Sequence, residues 1–141
     1  MKIIVETIPM SDQRYPTLGD WLFARRSEGG HNLIQDDKAD TLFIFITDTS
    51  DDRANTALAL HEIAEAMLCR EAGISQFEVD RFDMEWTGQG EPGDEPDAPY
   101  HVQHRAANRV ERSFIEKTNL SLAHYIDLCD AAEGLTADEK P

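Results

Sequence analysis

Positive charge is what this chain has least of: thirteen lysines and arginines stand against twenty-eight aspartates and glutamates, a formal charge of −15 over 141 residues. A field of that sign repels phosphate backbones, so direct nucleic-acid binding is disfavoured. Long apolar runs are missing too. No stretch approaches the roughly 18 consecutive apolar residues that a bilayer span requires. Met1 to Glu6 carries one lysine and a glutamate around a short apolar stretch, which does not read as a secretory signal. The expected location is therefore the cytoplasm, with no membrane partner. Cysteine is scarce, and Cys69 and Cys129 lie far apart without C-x-x-C spacing. That argues against a thiolate zinc knuckle and against a disulfide scaffold, and both are expected to be reduced core residues.

What the chain does contain is enough apolar material for one domain: 40% hydrophobic residues in a length that can bury a core. Lys2 to Ile8 is rich in β-branched residues and stops at Pro9, so it reads as a strand. Leu18 to Phe23 reads as a strand or a helical turn, Glu28 to Asn32 as a turn, and Leu33 to Gln35 as another short strand. Thr41 to Thr47 is the strongest strand signal, apolar on both faces and so expected to be central or covered. Asp48 to Asp52 supplies N-cap candidates for a helix from Arg53 to Glu71, closed by Gly73. Ser75 to Trp86 reads as a short helix. Thr87 to Pro99, a Gly/Pro/acid segment, is expected to lack regular structure. Pro99-Tyr100 starts a further helix to about Lys117, with proline in its first turn. Ser121 to Ala132 follows as a last helix on a stripe of Leu122, Tyr125, Ile126 and Cys129. A single domain over 1–133 is expected, with a frayed tail over 134–141.

The most informative segment lies in the long helix. Leu58 to Cys69 is apolar almost all round, yet it carries H-E-x-x-E as His61, Glu62 and Glu65. Four residues apart on a helix, His61 and Glu65 stack on one face, where an imidazole nitrogen and a carboxylate oxygen can reach one metal ion. Glu62 projects beside them, and the three polar side chains fall within an arc of roughly 100°. A helix with so much apolar surface is normally buried, so its polar groups need partners or a wet cleft. A divalent cation satisfies both ligands at once. The bland alternative is a buried helix with one wet edge, on which His61 bonds a backbone carbonyl.

Two ligands do not make a catalytic zinc site, which takes three protein ligands and keeps one position for water. His101, His104, Asn108 and Glu111 share one face of the next long helix, opposite Ala106, Val110 and Phe114. The apolar side is expected to pack and the histidine side to face a cleft. His104 is the preferred third ligand and His101 the second choice, either of which could instead hold substrate. Asp80 and Asp83 read as solvating or capping residues of the short helix. The acidic Pro-rich segment before His101 is placed to fold over the cleft as a lid.

Strand, loop and Leu60-His61-Glu62-x-x are similar to the zincin metallopeptidases, especially the small phage-associated type that cleaves repressors. In that family the motif is H-E-x-x-H, both histidines bind zinc and the glutamate between them is the general base. His61 and Glu62 match directly, whereas position 65 is glutamate where zincins have the second histidine. A carboxylate also binds zinc, but an added anionic ligand lowers the Lewis acidity that bound water feels. Over about half the chain, the sequence resembles a family of small phage and prophage proteins. The shared pattern is L-H-E-x-x-E-A-x-L-C (from Leu60), V-D-x-F-D (from Val79) and E-P-G-D-x-P-x-A-P-Y-H-x-x-H (Glu91 to His104).

The expectation is a zincin-like α+β domain, a short sheet of two to four strands packed on about three helices. Zinc is held by His61, Glu65 and His104 or His101, and Glu62 is the general base toward water activated by the metal. The resemblance makes metal-assisted hydrolysis of a peptide or amide bond the first functional expectation. The competing expectation is a non-enzymatic, metal-stabilised acidic phage accessory module that binds a host protein. A third is a two-metal hydrolase using Glu62, Glu65 and the acidic loop.

Overall fold

In a computed structural model of the protein, described over residues 1–134, four strands precede four helices. The strands are Lys2–Ile8 (β1), Gly19–Arg26 (β2), Leu33–Gln35 (β3) and Thr41–Thr47 (β4), in the sheet order β1-β4-β2-β3. β4 is central, parallel to β1 and antiparallel to β2, while β3 pairs antiparallel with the outer edge of β2. The apolar character of β4 on both faces explains its place. Leu42, Ile44 and Ile46 point into the main core, and Phe43 joins Leu22 and Ala24 in a smaller cluster on the other face.

The helices are Asp52–Glu71 (α1), Gln76–Glu85 (α2), His101–Glu116 (α3) and Leu122–Ala132 (α4), so the class is α+β. Asp51 caps α1 by accepting from the Arg53 and Ala54 amides. Beyond the C-cap Ala72, Gly73 takes φ +73°, the left-handed conformation glycine adopts without strain. Ala54, Ala57 and Ala66 are fully buried, which lets α1 lie close against β2 and β4. α3 packs along the other side of α1, in the most extensive helix–helix contact of the fold. No helix among the described residues is long and apolar enough to cross a membrane.

Leu18 to Phe23, read as a strand or a helical turn, is strand from Gly19 onward. Four other sequence expectations need correction. The Pro-rich segment is not wholly irregular, since Pro92–Asp94 forms a 3-10 turn, and α3 starts at His101 with Tyr100 as N-cap, leaving Pro99 outside its first turn. The packed face of α3 is the histidine side: His104, Ala107 and Ile115 are buried while Val110 is exposed. On α4, Tyr125 is buried but Leu122 and Ile126 are exposed. The tail expected over 134–141 lies, beyond Gly134, outside the described residues.

Candidate metal centre

The α1–α3 contact is where the chain puts its polar groups. His61, Glu62 and Glu65 rise from one face of α1, and His104 meets them from α3; all four are at least nine-tenths buried. Groups buried this deeply need partners, and three of the four have them. Glu65 sits at the centre: its Oε2 is 3.3 Å from His61 Nε2 and 2.8 Å from His104 Nδ1. Its Oε1 accepts from the indole N–H of Trp21 on β2 at 2.9 Å. His61, Glu65 and His104 each offer one ligand atom, all close enough together to hold a metal ion. Of the two α3 histidines, the structure brings His104 to this group. His101 instead places its Nδ1 3.0 Å from the Gly93 carbonyl and ties down the preceding loop.

Each imidazole also turns its other nitrogen toward a carboxylate. His61 Nδ1 lies 2.7 Å from Glu111 Oε1, and His104 Nε2 lies 3.0 Å from Glu91 and 3.2 Å from Asp94. These approaches lie off the hydrogen-bonding direction, so the two buried nitrogens have close anionic neighbours but no aligned hydrogen bond. Tyr125 of α4 donates to the second oxygen of Glu111 and fixes it in turn. Glu91, Asp94 and His104 also form a second grouping able to hold an ion, with both acids exposed.

The charges follow from this packing. Burial pushes the Glu65 carboxyl up, but the two imidazoles outweigh it and hold its pKa down at about 2. Burial lowers His104, yet Glu65 and Glu91 raise it to about 10, and His61 is likewise raised by Glu111 and Glu65 against its own burial. Glu62 differs. Its pKa is raised well above the usual carboxylate range by burial, and by Glu65 and Asp20 nearby, with His61 opposing. Among the described residues no hydrogen bond reaches its carboxyl, which packs against the backbone of Gly19 and lines a cavity of about 640 Å³.

Sequence reasoning missed several members of this site. Trp21 and Tyr15 are far from the motif in sequence, and nothing local marks them. Glu111 was visible on the His104 face, but its role beside His61 depends on the crossing of α3 over α1. Asp80 and Asp83, read as solvating residues, line the cavity instead: Asp80 pairs with Arg14 at 3.0 Å, and Asp83 accepts from the hydroxyls of Tyr100 and Tyr15. Cys69 is buried, but burial and Glu65 push its thiol up to about 12, so it is a neutral core residue and belongs to neither metal grouping. Comparison with protein-family models, with curated proteins and with solved structures finds no match.

Proposed function

We propose that the protein is a zinc-dependent hydrolase acting on a peptide or amide bond, with His61, Glu65 and His104 as the zinc ligands. The observation that carries this reading is the convergence of two buried imidazole nitrogens on one oxygen of Glu65, the three ligand atoms being close enough to hold one ion. Without a cation, both rings must be buried imidazolium ions, with a proton on every nitrogen, to face carboxylates on both sides. A cation there would take lone pairs from the facing nitrogens and Glu65, and leave the opposite nitrogens their protons on the sides where Glu111 and Glu91 lie close by without an aligned hydrogen bond. A carboxylate near the outer nitrogen is common for metal-binding histidine. Two imidazoles and a carboxylate suit zinc, and the resemblance to zincins at His61 and Glu62 supports the same assignment.

A zinc ion at such a site supplies Lewis acidity toward a carbonyl and lowers the pKa of water. The chain supplies the rest. Glu62, which no hydrogen bond engages and whose proton affinity burial raises, takes a proton from the attacking water as the new C–O bond forms. It returns that proton to the leaving nitrogen as the C–N bond breaks. Glu111 and Glu91 hold the imidazoles in register, and Trp21 fixes the rotamer of Glu65. Elemental analysis of protein purified without added metal is expected to find one zinc per chain, lost in His61→Ala and Glu65→Ala. Glu62→Gln should keep its zinc and lose hydrolysis of a peptide library by roughly 10²–10⁴-fold. Equal zinc content in wild type and Glu65→Ala would overturn the assignment.

A further inference from the structure

The cavity beside the metal group is rich in acceptors and poor in donors. Eight carboxyl side chains line it and, among the described residues, no lysine or arginine does. Arg14, the nearest guanidinium to these acids, is already shared: it bonds Asp20 at 2.7 and 2.9 Å and Asp80 at 3.0 Å. Besides the outer nitrogens of His61 and His104, two polar groups of the lining have no hydrogen-bond partner. One is the carboxyl of Glu62, which is only 9% exposed, and the other is the buried indole N–H of Trp86. A bound dication would still leave the wall strongly acidic. Such a surface is completed by a ligand that brings positive charge and donors, together with a carbonyl for the indole N–H.

The α2 wall has the form such a ligand needs. Asp83 stands between the hydroxyls of Tyr15 and Tyr100, one on each carboxylate oxygen, so each oxygen keeps a lone pair for a further donor. Met84 and Trp86 lie beside it on the same lining, an apolar thioether and an aromatic face. Alkyl stems pack on such groups, and cations are attracted to the ring face.

We propose that this wall is the specificity site of the enzyme and takes a basic peptide side chain, with the stem of lysine or arginine against Met84 and Trp86 and its cationic head at Asp83. The substrate class is thus a peptide with a basic residue next to the cleaved amide, an inference that rests on the hydrolase reading for the cleavage but not for the binding. Trp21 and Trp86 both line the cavity, so binding can be followed by intrinsic fluorescence. The probes are blocked tripeptides with central lysine, norleucine or glutamate, and an unblocked trialanine amide that carries only an α-amine. Measurement at pH 8 keeps Asp83 ionised, since burial pushes its pKa up to about 7.

The lysine peptide is expected to bind about tenfold more tightly than the norleucine peptide, the equivalent of about 1.4 kcal/mol. The glutamate peptide should bind most weakly, and trialanine amide no better than norleucine. Asp83→Asn should erase the lysine preference, and Glu6→Gln, a charge change on the exposed surface of β1, should preserve it. Equal binding of lysine and norleucine peptides by the wild type overturns the proposal without any variant. Tight binding of trialanine amide overturns the side-chain assignment in favour of an amino terminus. The titrations are run with and without zinc. A lysine preference that persists in a protein taking up no zinc rejects the hydrolase reading and leaves the recognition site standing.

Discussion

Two glycines set the limits of the site at the scale of single residues. A Cβ on Gly19 would come within 2.5 Å of the Glu62 carboxyl, and one on Gly93 would run into the ring of His104. Neither residue has the positive φ that demands glycine, so what each provides is room. Gly19→Ala is expected to displace Glu62 and to cost about 1–3 kcal/mol in urea unfolding through overpacking. It should reduce hydrolysis while zinc content stays at wild type, because Glu62 is not a ligand. Gly93→Ala should do the opposite, weakening zinc binding through His104. A competition titration against a chromogenic chelator separates the two, and a Gly19→Ala protein with impaired zinc affinity would contradict the roles given to Glu62 and His104. Glu111→Gln tests the outer shell in the same assay, with an expected loss of about 10–100-fold in zinc affinity.

At the scale of elements, the fold was legible where the signals are local. β1, β3, β4 and the span of α1 follow from β-branched runs, turn residues and an aspartate N-cap, all local signals. α3 was misread for a physical reason. Its apolar residues Val102 and Val110 face solvent, while His104 and Ala107 face α1, because the α1–α3 contact is held largely by paired polar groups. A rule that buries the apolar side must fail at such an interface. The H-E-x-x-E spacing gave the α1 half of the metal group and the histidine face of the next helix offered His104 ahead of His101, whereas Trp21, Asp83 and Tyr15 arrive only by tertiary packing. α2 carries one wall of the cavity, and its start is fixed by a capping box in which Ser75 and Glu78 satisfy each other's amides. Ser75→Ala should lose about 1 kcal/mol of stability in urea unfolding. If α2 frays, the lysine preference should weaken with it.

For the molecule as a whole, the buried ionisable groups fix how stability must change with pH. Glu65 is held at about 2 against an ordinary 4.5, so its contribution is present above pH 4.5 and is lost as pH falls toward 2. Asp83 is raised by burial from 3.8 to about 7, so its contribution is present below about pH 4 and is lost as pH rises through 7. Glu62 and Asp80, also raised, act in the same direction. His104, raised to about 10, stabilises fully below pH 6.5 and loses that contribution as pH rises through 10. The metal-free protein is therefore expected to be most stable in mildly acid solution and to weaken steadily from about pH 5 upward, a trend its growing negative charge reinforces. Zinc reverses that slope. The ligands must shed protons to bind it, so its affinity climbs with pH, and free zinc at 100 times its dissociation constant adds about 2.7 kcal/mol. Thermal melts from pH 5 to 9 should show the midpoint falling in chelator and the zinc-induced increment widening at each step. Asp83→Asn should flatten the fall between pH 5 and 7 in chelator without changing the zinc increment. A zinc increment that shrank with rising pH would mean that the imidazoles of His61 and His104 are not what the metal displaces protons from.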